Sequence, residues 1–392
     1  MASSPDRGRK PRPRELGIVL GTLEPGPHNA ITDVAGVRVG HVTIIDDGSS
    51  DDPPRGPART GVTVVLPHGD NLFRHKVPAA FHVINGYGKA AGSTQVQELG
   101  SIETPIALTN TLSVGAAFEG LVRHALAVNP DIGRTAGNVN PVVAECSDAR
   151  LNDIRALVVR PRHVIDAIRA ATDGPVREGS VGAGTGIICY GWKGGIGTAS
   201  RLVSTAGEPY VVGVLVQANF GRAPELRIAG VPVGESLRPP AAQPDGDGGG
   251  SCVIVLATSA PADSRQLARL ARRAQNGLAR TGTPGDHGSG DYVIAFSTAR
   301  RIPHVPAADQ LPAAVLPEDG PLIDVLFQAV TEATEEAVVS ALLAAEPAGT
   351  PDRDGGHGGT PLPADQLLAC LGRVLVTGRP GNFGVHDRQG DK

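Results

Sequence analysis

The sequence predicts an α+β fold in which β-sheets are covered by helices, and three observations carry that prediction. Strand-like segments fall in clusters along the chain. Residues 252–257 (CVIVLA) contain no polar side chain, as a strand buried on both faces requires. Residues 263–280 set Leu267, Leu270, Ala271, Ala274 and Leu278 on one helical face, the stripe a helix needs to lie against a sheet.

Taken in order, residues 31–41 (ITDVAGVRVGH) alternate apolar and polar and read as a half-buried strand, and 59–69 (RTGVTVVLPHG) as a second. Between them, 46–58 (DDGSSDDPPRGPA) is rich in turn formers and reads as a surface loop. Residues 121–130 (LVRHALAVNP) have helical spacing and stop at Asn-Pro, because the residue before proline is pushed out of the helical region. The glycine-rich 181–201 reads as loop, strand, loop, and 210–221 (YVVGVLVQANFG) as a strong strand ending in Gln217-Ala218-Asn219. Residues 239–250 (PPAAQPDGDGGG) have linker composition. Beyond 252–257 and 263–280 come a strand at 292–296, a long helix over 322–346, the PDRDGGHGG stretch at 351–359 and a short helix near 367–371.

Composition narrows the function. A 392-residue chain with 40% hydrophobic and 19% charged residues can bury a large core, and with only 3% aromatics that core is aliphatic. The net charge of −4 offers no general attraction to phosphate backbones or anionic lipids, so neither nucleic acid nor membrane is an expected partner. The basic run RGRKPRPR (7–14) belongs to a Pro-rich N-terminus, and residues 1–15 are expected to be a disordered tail. That tail lacks the apolar centre of a secretory signal, and no apolar run reaches about 18 residues, which places the protein in the cytoplasm. Cys146, Cys189, Cys252 and Cys370 are far apart and form no CxxC pair, so buried free thiols are expected rather than a zinc knuckle or disulfides.

The chemistry concentrates at 248–256 (GGGSCVIVL), where glycines run directly into Ser251 and the apolar strand. A plain linker seldom enters a strand this apolar without a spacer. An EF-hand loop opening at Asp245 and Asp247 fails, because its twelfth position is Leu256 where a bidentate carboxylate is needed. A Gly250-Ser251 junction can hold a peptide carbonyl against the serine hydroxyl, since glycine tolerates strained or left-handed backbone. If that bond breaks, Ser251 becomes an N-terminal residue whose α-amine, with a pKa of about 8, can act as general base for its own hydroxyl.

GGGSCVIVLATSAP, LARRAQNGLARTG (270–282) and GSGDYVIAFST (288–298) together resemble the self-processing aminopeptidases of the DmpA/BapA type, the L-aminopeptidase/D-amidase-esterases and β-peptidyl aminopeptidases. The likeness extends to ITDVAGVRVGH, TGVTVVLPHG, ETPIALTNTLSVG, GAGTGIICYGWKGGIGTASR, VGVLVQANFG and EATEEAVVSALLAAEP, in the same order along the chain. The resemblance implies a four-layer αββα sandwich built as one domain over 16–392, autocleaved between Gly250 and Ser251 into fragments 1–250 and 251–392. It further implies oligomers of the paired fragments. By the same resemblance Ser251 is the nucleophile, Ser289 and Asp291 stand beside it, and Asn219 donates to the oxyanion. Some relatives carry Glu where this chain has the shorter Asp291, which then needs closer approach. Substrates would be small peptides, amides or esters with a free amine, hydrolysed through an acyl-enzyme. No cofactor or metal is called for, because the α-amine supplies the base.

Other readings remain open at this level. Glu145 and Asp148, with Tyr190 and Trp192, are either recognition groups for a substrate amine or structural. His287 next to GSGD suggests a Ser-His-Asp set, but no G-x-S-x-G elbow is present. GAGTG (182–186) has its third glycine misplaced for a dinucleotide loop, with no phosphate-binding lysine in register, and reads as a packed turn. Ornithine acetyltransferases share the expected architecture and self-cleave but use threonine, so serine at 251 favours hydrolysis over acyl transfer. A scaffold that does not cleave itself is the non-enzymatic alternative.

Overall fold

The computed structural model describes residues 10–50, 54–240, 250–348 and 359–377. Its main strands are β1 (Arg38–Asp46), β2 (Ala58–Leu66), β3 (His75–Gly86), β4 (Ile106–Thr109), β5 (Val142–Glu145), β6 (Gly195–Val203), β7 (Tyr210–Asn219), β8 (Ser251–Thr258) and β9 (Gly290–Ser297). The helices that cover them are α1 (Val114–Val128), α2 (Pro161–Arg169), α3 (Ser264–Arg280) and α4 (Pro321–Leu343), followed by α5 (Ala364–Thr377).

One sheet runs β1-β2-β4-β5 and ends on the short strand Ala90–Ala91; the other runs β6-β7-β8-β9-β3. Each contains one parallel pair, β4 with β5 and β8 with β9. Parallel neighbours need a crossover, and α1 and α3 supply them.

The alternation of side chains along β8 lays out the layers. Val253, Val255 and Ala257 join Val65, Ile106, Leu108 and Val142 in a core between the two sheets, while Cys252, Ile254 and Leu256 pack with Leu267, Leu270, Ala274, Val330 and Ala337 of α3 and α4. A third core sets Val62, Val64, Ala107 and Val143 of the first sheet against Ala117, Leu121, Val164 and Ala167 of α1 and α2. The arrangement is helix, sheet, sheet, helix: a four-layer αββα sandwich. Both faces of β8 are buried, which is why its sequence is apolar throughout rather than alternating.

Three sequence expectations shift. Residues 31–41 are not one strand: Ile31–Asp33 form a 3-10 turn and Gly36 adopts φ +88, so β1 starts at Arg38. The Asp33 carboxylate accepts from the N–H groups of His28 and Ala30 and from the Ser200 hydroxyl, and such local bonds compete with strand pairing. The segment expected to end as a loop at 195–201 is most of β6, whose glycines serve close packing: a Cβ on Gly197 would lie 1.9 Å from the carbonyl oxygen of Ala337 in α4. Residues 10–15 of the expected tail are anchored, with Arg12 paired to Glu178 at 2.9 Å and Arg14 to Glu336 at 3.2 Å. The glycine-rich stretches at 241–249 and 349–358 lie outside the described residues.

Candidate active site

Strand pairing brings the sequence candidates together. β7 ends where β8 begins, so Asn219 is the register partner of Ser251, and the parallel neighbour β9 places Gly290 opposite Ser251 on its other side. Ser289 and Asp291 therefore flank the residue facing Ser251. All four side chains are buried: Asn219 is 8% exposed, Ser251 4%, Ser289 2% and Asp291 5%.

The Asn219 amide is oriented from behind. The Ile188 N–H donates to its Oδ1 at 3.0 Å, which turns its NH₂ toward Ser251, and Nδ2 donates to the Ser251 Oγ at 3.3 Å. The carbonyl of Gly250 accepts from the Gly290 N–H at 3.4 Å. Gly250 is a glycine for a steric reason: its φ is not left-handed, but a Cβ there would lie 2.7 Å from the Phe220 Cα and 2.9 Å from the Asn219 carbonyl oxygen. The reason expected from sequence, a left-handed backbone, is replaced by close approach.

On the other side of Ser251, the Ser289 hydroxyl donates to Asp291 Oδ1 at 2.7 Å. Burial raises Asp291 to about 6, opposed by the bonds it accepts from Ser289 and from the Cys252 N–H, with Asp286 adding a like charge. The shorter acid thus reaches both the second serine and the backbone next to Ser251. Ser289 and Asp291 also line a cleft with Phe220, Gln275, Leu278 and Asp286, giving this buried pair a path to solvent.

The remaining candidates separate. Glu145 lies at this end of the molecule: it accepts from the Lys89 N–H at 2.9 Å and from the Thr111 hydroxyl, and a Cβ on Gly88 would sit 3.0 Å from both its Oε1 and the Gly290 Cα. Asp148 is buried in a web with Asn152, Thr60 and Asn110, and burial pushes it up to about 6 against those bonds. Tyr190 has no exposed surface and bonds Thr281 at 2.7 Å, and Trp192 is buried. His287 is exposed and packs edge-on against Tyr87 at 5.8 Å rather than bridging the serines. All four cysteines are free. Burial pushes the Cys146 thiol well above its ordinary value, against a hydrogen bond with Ser251, so it stays protonated and does not compete as nucleophile.

Sequence reasoning missed Asn85. Its Nδ2 donates to the carbonyls of Asp286, His287 and Ser289 at 3.1, 2.9 and 2.5 Å, fixing the loop that carries Ser289. No local signal marks it, because its role follows from β3 pairing with β9 about two hundred residues away.

An αββα sandwich with a serine heading a central strand defines a hydrolase of the N-terminal-nucleophile class. Residues 29–354 match Peptidase family S58, and the chain belongs to that family. It is 43% identical to the beta-peptidyl aminopeptidase BapA of Sphingosinicella microcystinivorans, over 86% of each chain. Among solved structures it is similar to the L-aminopeptidase D-Ala-esterase/amidase of Ochrobactrum anthropi, described as a prototype serine aminopeptidase and a variant of the Ntn-hydrolase fold (TM-score 0.86, 40% identity, 93% of this chain and 99% of that one). It is also similar to a beta-aminopeptidase from Burkholderia sp. (TM-score 0.84, 42% identity, 94% and 100%). The chain is accordingly a self-processing aminopeptidase. Among the described residues, no helix is long and apolar enough to cross a membrane.

Proposed function

We propose that the chain cleaves its own Gly250–Ser251 bond and then uses Ser251 as nucleophile and base at once, removing N-terminal residues from small peptides, amides or esters. In self-cleavage the Ser251 Oγ attacks the Gly250 carbonyl carbon, the bond to the Ser251 nitrogen breaks as that nitrogen takes the proton, and water hydrolyses the resulting ester. The observation that carries this reading is the pair of donors around the junction. Asn219 Nδ2 reaches the Ser251 Oγ at 3.3 Å, and the Gly290 N–H faces the Gly250 carbonyl at 3.4 Å, where negative charge develops.

In turnover the freed amine accepts the hydroxyl proton as Oγ attacks the substrate carbonyl and Asn219 donates to the oxyanion; the bond to the leaving amine or alkoxide then breaks as that group takes the proton, and water hydrolyses the ester on Oγ to release the acid and restore Ser251. Ser289, held by Asp291, relays a proton or orients the amine. Glu145 supplies a buried negative charge for the substrate ammonium. The new termini would not part: β7 and β3 precede the bond, β8 and β9 follow it, and they pair within one sheet. The described residues on both sides of the bond thus act as one domain. Oligomers of the paired fragments belong to the same proposal and are checked by light scattering. The proposed compartment is the cytoplasm, where buried thiols stay reduced.

N-terminal sequencing of the active preparation tests the central step: a fragment beginning Ser-Cys-Val-Ile is expected, and its absence overturns the reading. A panel of L-, D- and β-aminoacyl p-nitroanilides then defines the substrate.

A further inference from the structure

Lys193 is a fully buried lysine that the chemistry above does not use. Its side chain has no solvent exposure, and its ammonium donates to three backbone carbonyls: Gly184 at 3.0 Å, Ile187 at 3.1 Å and Gly194 at 2.7 Å. One of those acceptors matters for the site. The Ile187 carbonyl and the Ile188 N–H belong to the same planar peptide unit, and that N–H is the group that orients Asn219.

We infer that Lys193 is a positioning residue for the reaction, acting through the Ile187–Ile188 peptide to hold and polarise the Asn219 amide that faces Ser251. The inference rests on the reading of Asn219 as oxyanion donor. The relay has three steps. A cation on the Ile187 oxygen draws electron density from the peptide and strengthens its N–H as donor. That N–H withdraws density from Asn219 Oδ1. The Asn219 NH₂ in turn becomes a stronger donor, as hydrogen bonds in a chain reinforce one another where the dielectric is low.

The surroundings fit a positioning role better than a structural ion pair. Among the described residues, Asp148 and Cys189 are the ionisable groups that act on this ammonium, and the bonds it donates to Gly184, Ile187 and Gly194 all end on backbone carbonyls. Burying a cation on carbonyl dipoles costs desolvation that a methionine of similar length would avoid. Burial lowers Lys193 to about 7, while Cys189 and Asp148 oppose the shift.

A double-mutant cycle tests the inference on the full chain, with kcat on the best p-nitroanilide of the panel taken per molecule whose Ser251 N-terminus is free by N-terminal sequencing. Asn219→Ala is expected to lower kcat about 10²–10³-fold. Lys193→Met is expected to lower kcat roughly tenfold or more through misplacement, with KM little changed. In the Asn219→Ala background, Lys193→Met should cost nothing further. An equal loss in both backgrounds overturns the inference while leaving Asn219 in its role, whereas an Asn219→Ala enzyme with unchanged kcat overturns the oxyanion reading itself. Lys193→Gln, which keeps a donor without the charge, should fall between the parent and Lys193→Met. If neither substitution folds, the ratio of parent kcat to Asn219→Ala kcat is measured against pH. That ratio cancels titrations shared by both enzymes and should decline as pH rises through about 7, where Lys193 loses its charge; a flat ratio overturns the inference.

Discussion

Arg201 and Lys193 lie eight residues apart, both without solvent exposure, and their charges are met in opposite ways. Arg201 has carboxylates: Nε pairs with Glu332 at 3.1 Å and Nη2 with Glu336 at 2.6 Å, and its remaining donors reach the carbonyls of Ser200 and Leu20. Burial alone would raise Glu332, but the N–H groups of Thr22 and Leu23 with Gln328 and Arg201 hold it below its ordinary range. Lys193 donates to backbone carbonyls. The first region is a neutralised pin that ties the N-terminal segment and β6 to α4. The second leaves a buried charge one peptide away from the site. Burial at Arg201 is compensated by carboxylates and pins the fold, while burial at Lys193, next to the site, and at Asp291, within it, is compensated only in part.

The comparison can be broken by substitutions that separate activity from stability. The largest effect is expected at Ser251: Ser251→Ala should leave a single uncut chain on a denaturing gel and lower aminopeptidase turnover by about 10⁴-fold or more, with a urea midpoint no lower than that of the cleaved parent. Arg201→Met should do the reverse. Leaving Glu332 buried without its cation, and Glu336 with Arg14 alone, costs roughly 3–5 kcal/mol in chemical denaturation, while kcat per folded molecule stays at the parent value. A large kcat loss there would erase the distinction between the regions.

Asp291 gives the next effect. Its folded value is raised, so below about 6 it is protonated and no longer the acceptor that holds Ser289. We propose that the same Ser289–Asp291 pair takes the Ser251 hydroxyl proton in self-cleavage, so self-cleavage of freshly made chain should accelerate about tenfold per pH unit up to that value and level off above it. Asp291→Asn should abolish the dependence. Gly250→Ala should slow self-cleavage and cost about 1–3 kcal/mol, since its Cβ meets the Phe220 backbone at 2.7 Å; cleavage at the parent rate would show that the close approach is not required. The smallest effect is expected at His287: His287→Ala should leave kcat/KM within about a factor of two, and a larger loss would restore the Ser-His-Asp reading.

The parts of the site legible in sequence are those with local causes. The apolar run of β8 and the Leu267/Leu270/Leu278 stripe of α3 follow from burial periodicity. The start of α3 follows from Asp263, whose carboxylate accepts from the Gln266 N–H at 2.7 Å. The 31–41 and 195–201 segments misled because alternation and glycine content are ambiguous. The same glycines that mark a loop also let α4 approach β6.

Sequence alone determined that a serine heads a strand buried on both faces, that a helix and then a further strand follow it, and that Ser289 and Asp291 sit two residues apart just before that further strand. Tertiary structure decided which groups face Ser251: Asn219 from 32 residues upstream, Asn85 bracing the Ser289 loop, and Lys193 behind the Ile188 peptide. The physical reason is that burial periodicity is written residue by residue along the chain. Hydrogen-bond partners between strands depend on register, and register is fixed only when both sheets close on their shared core.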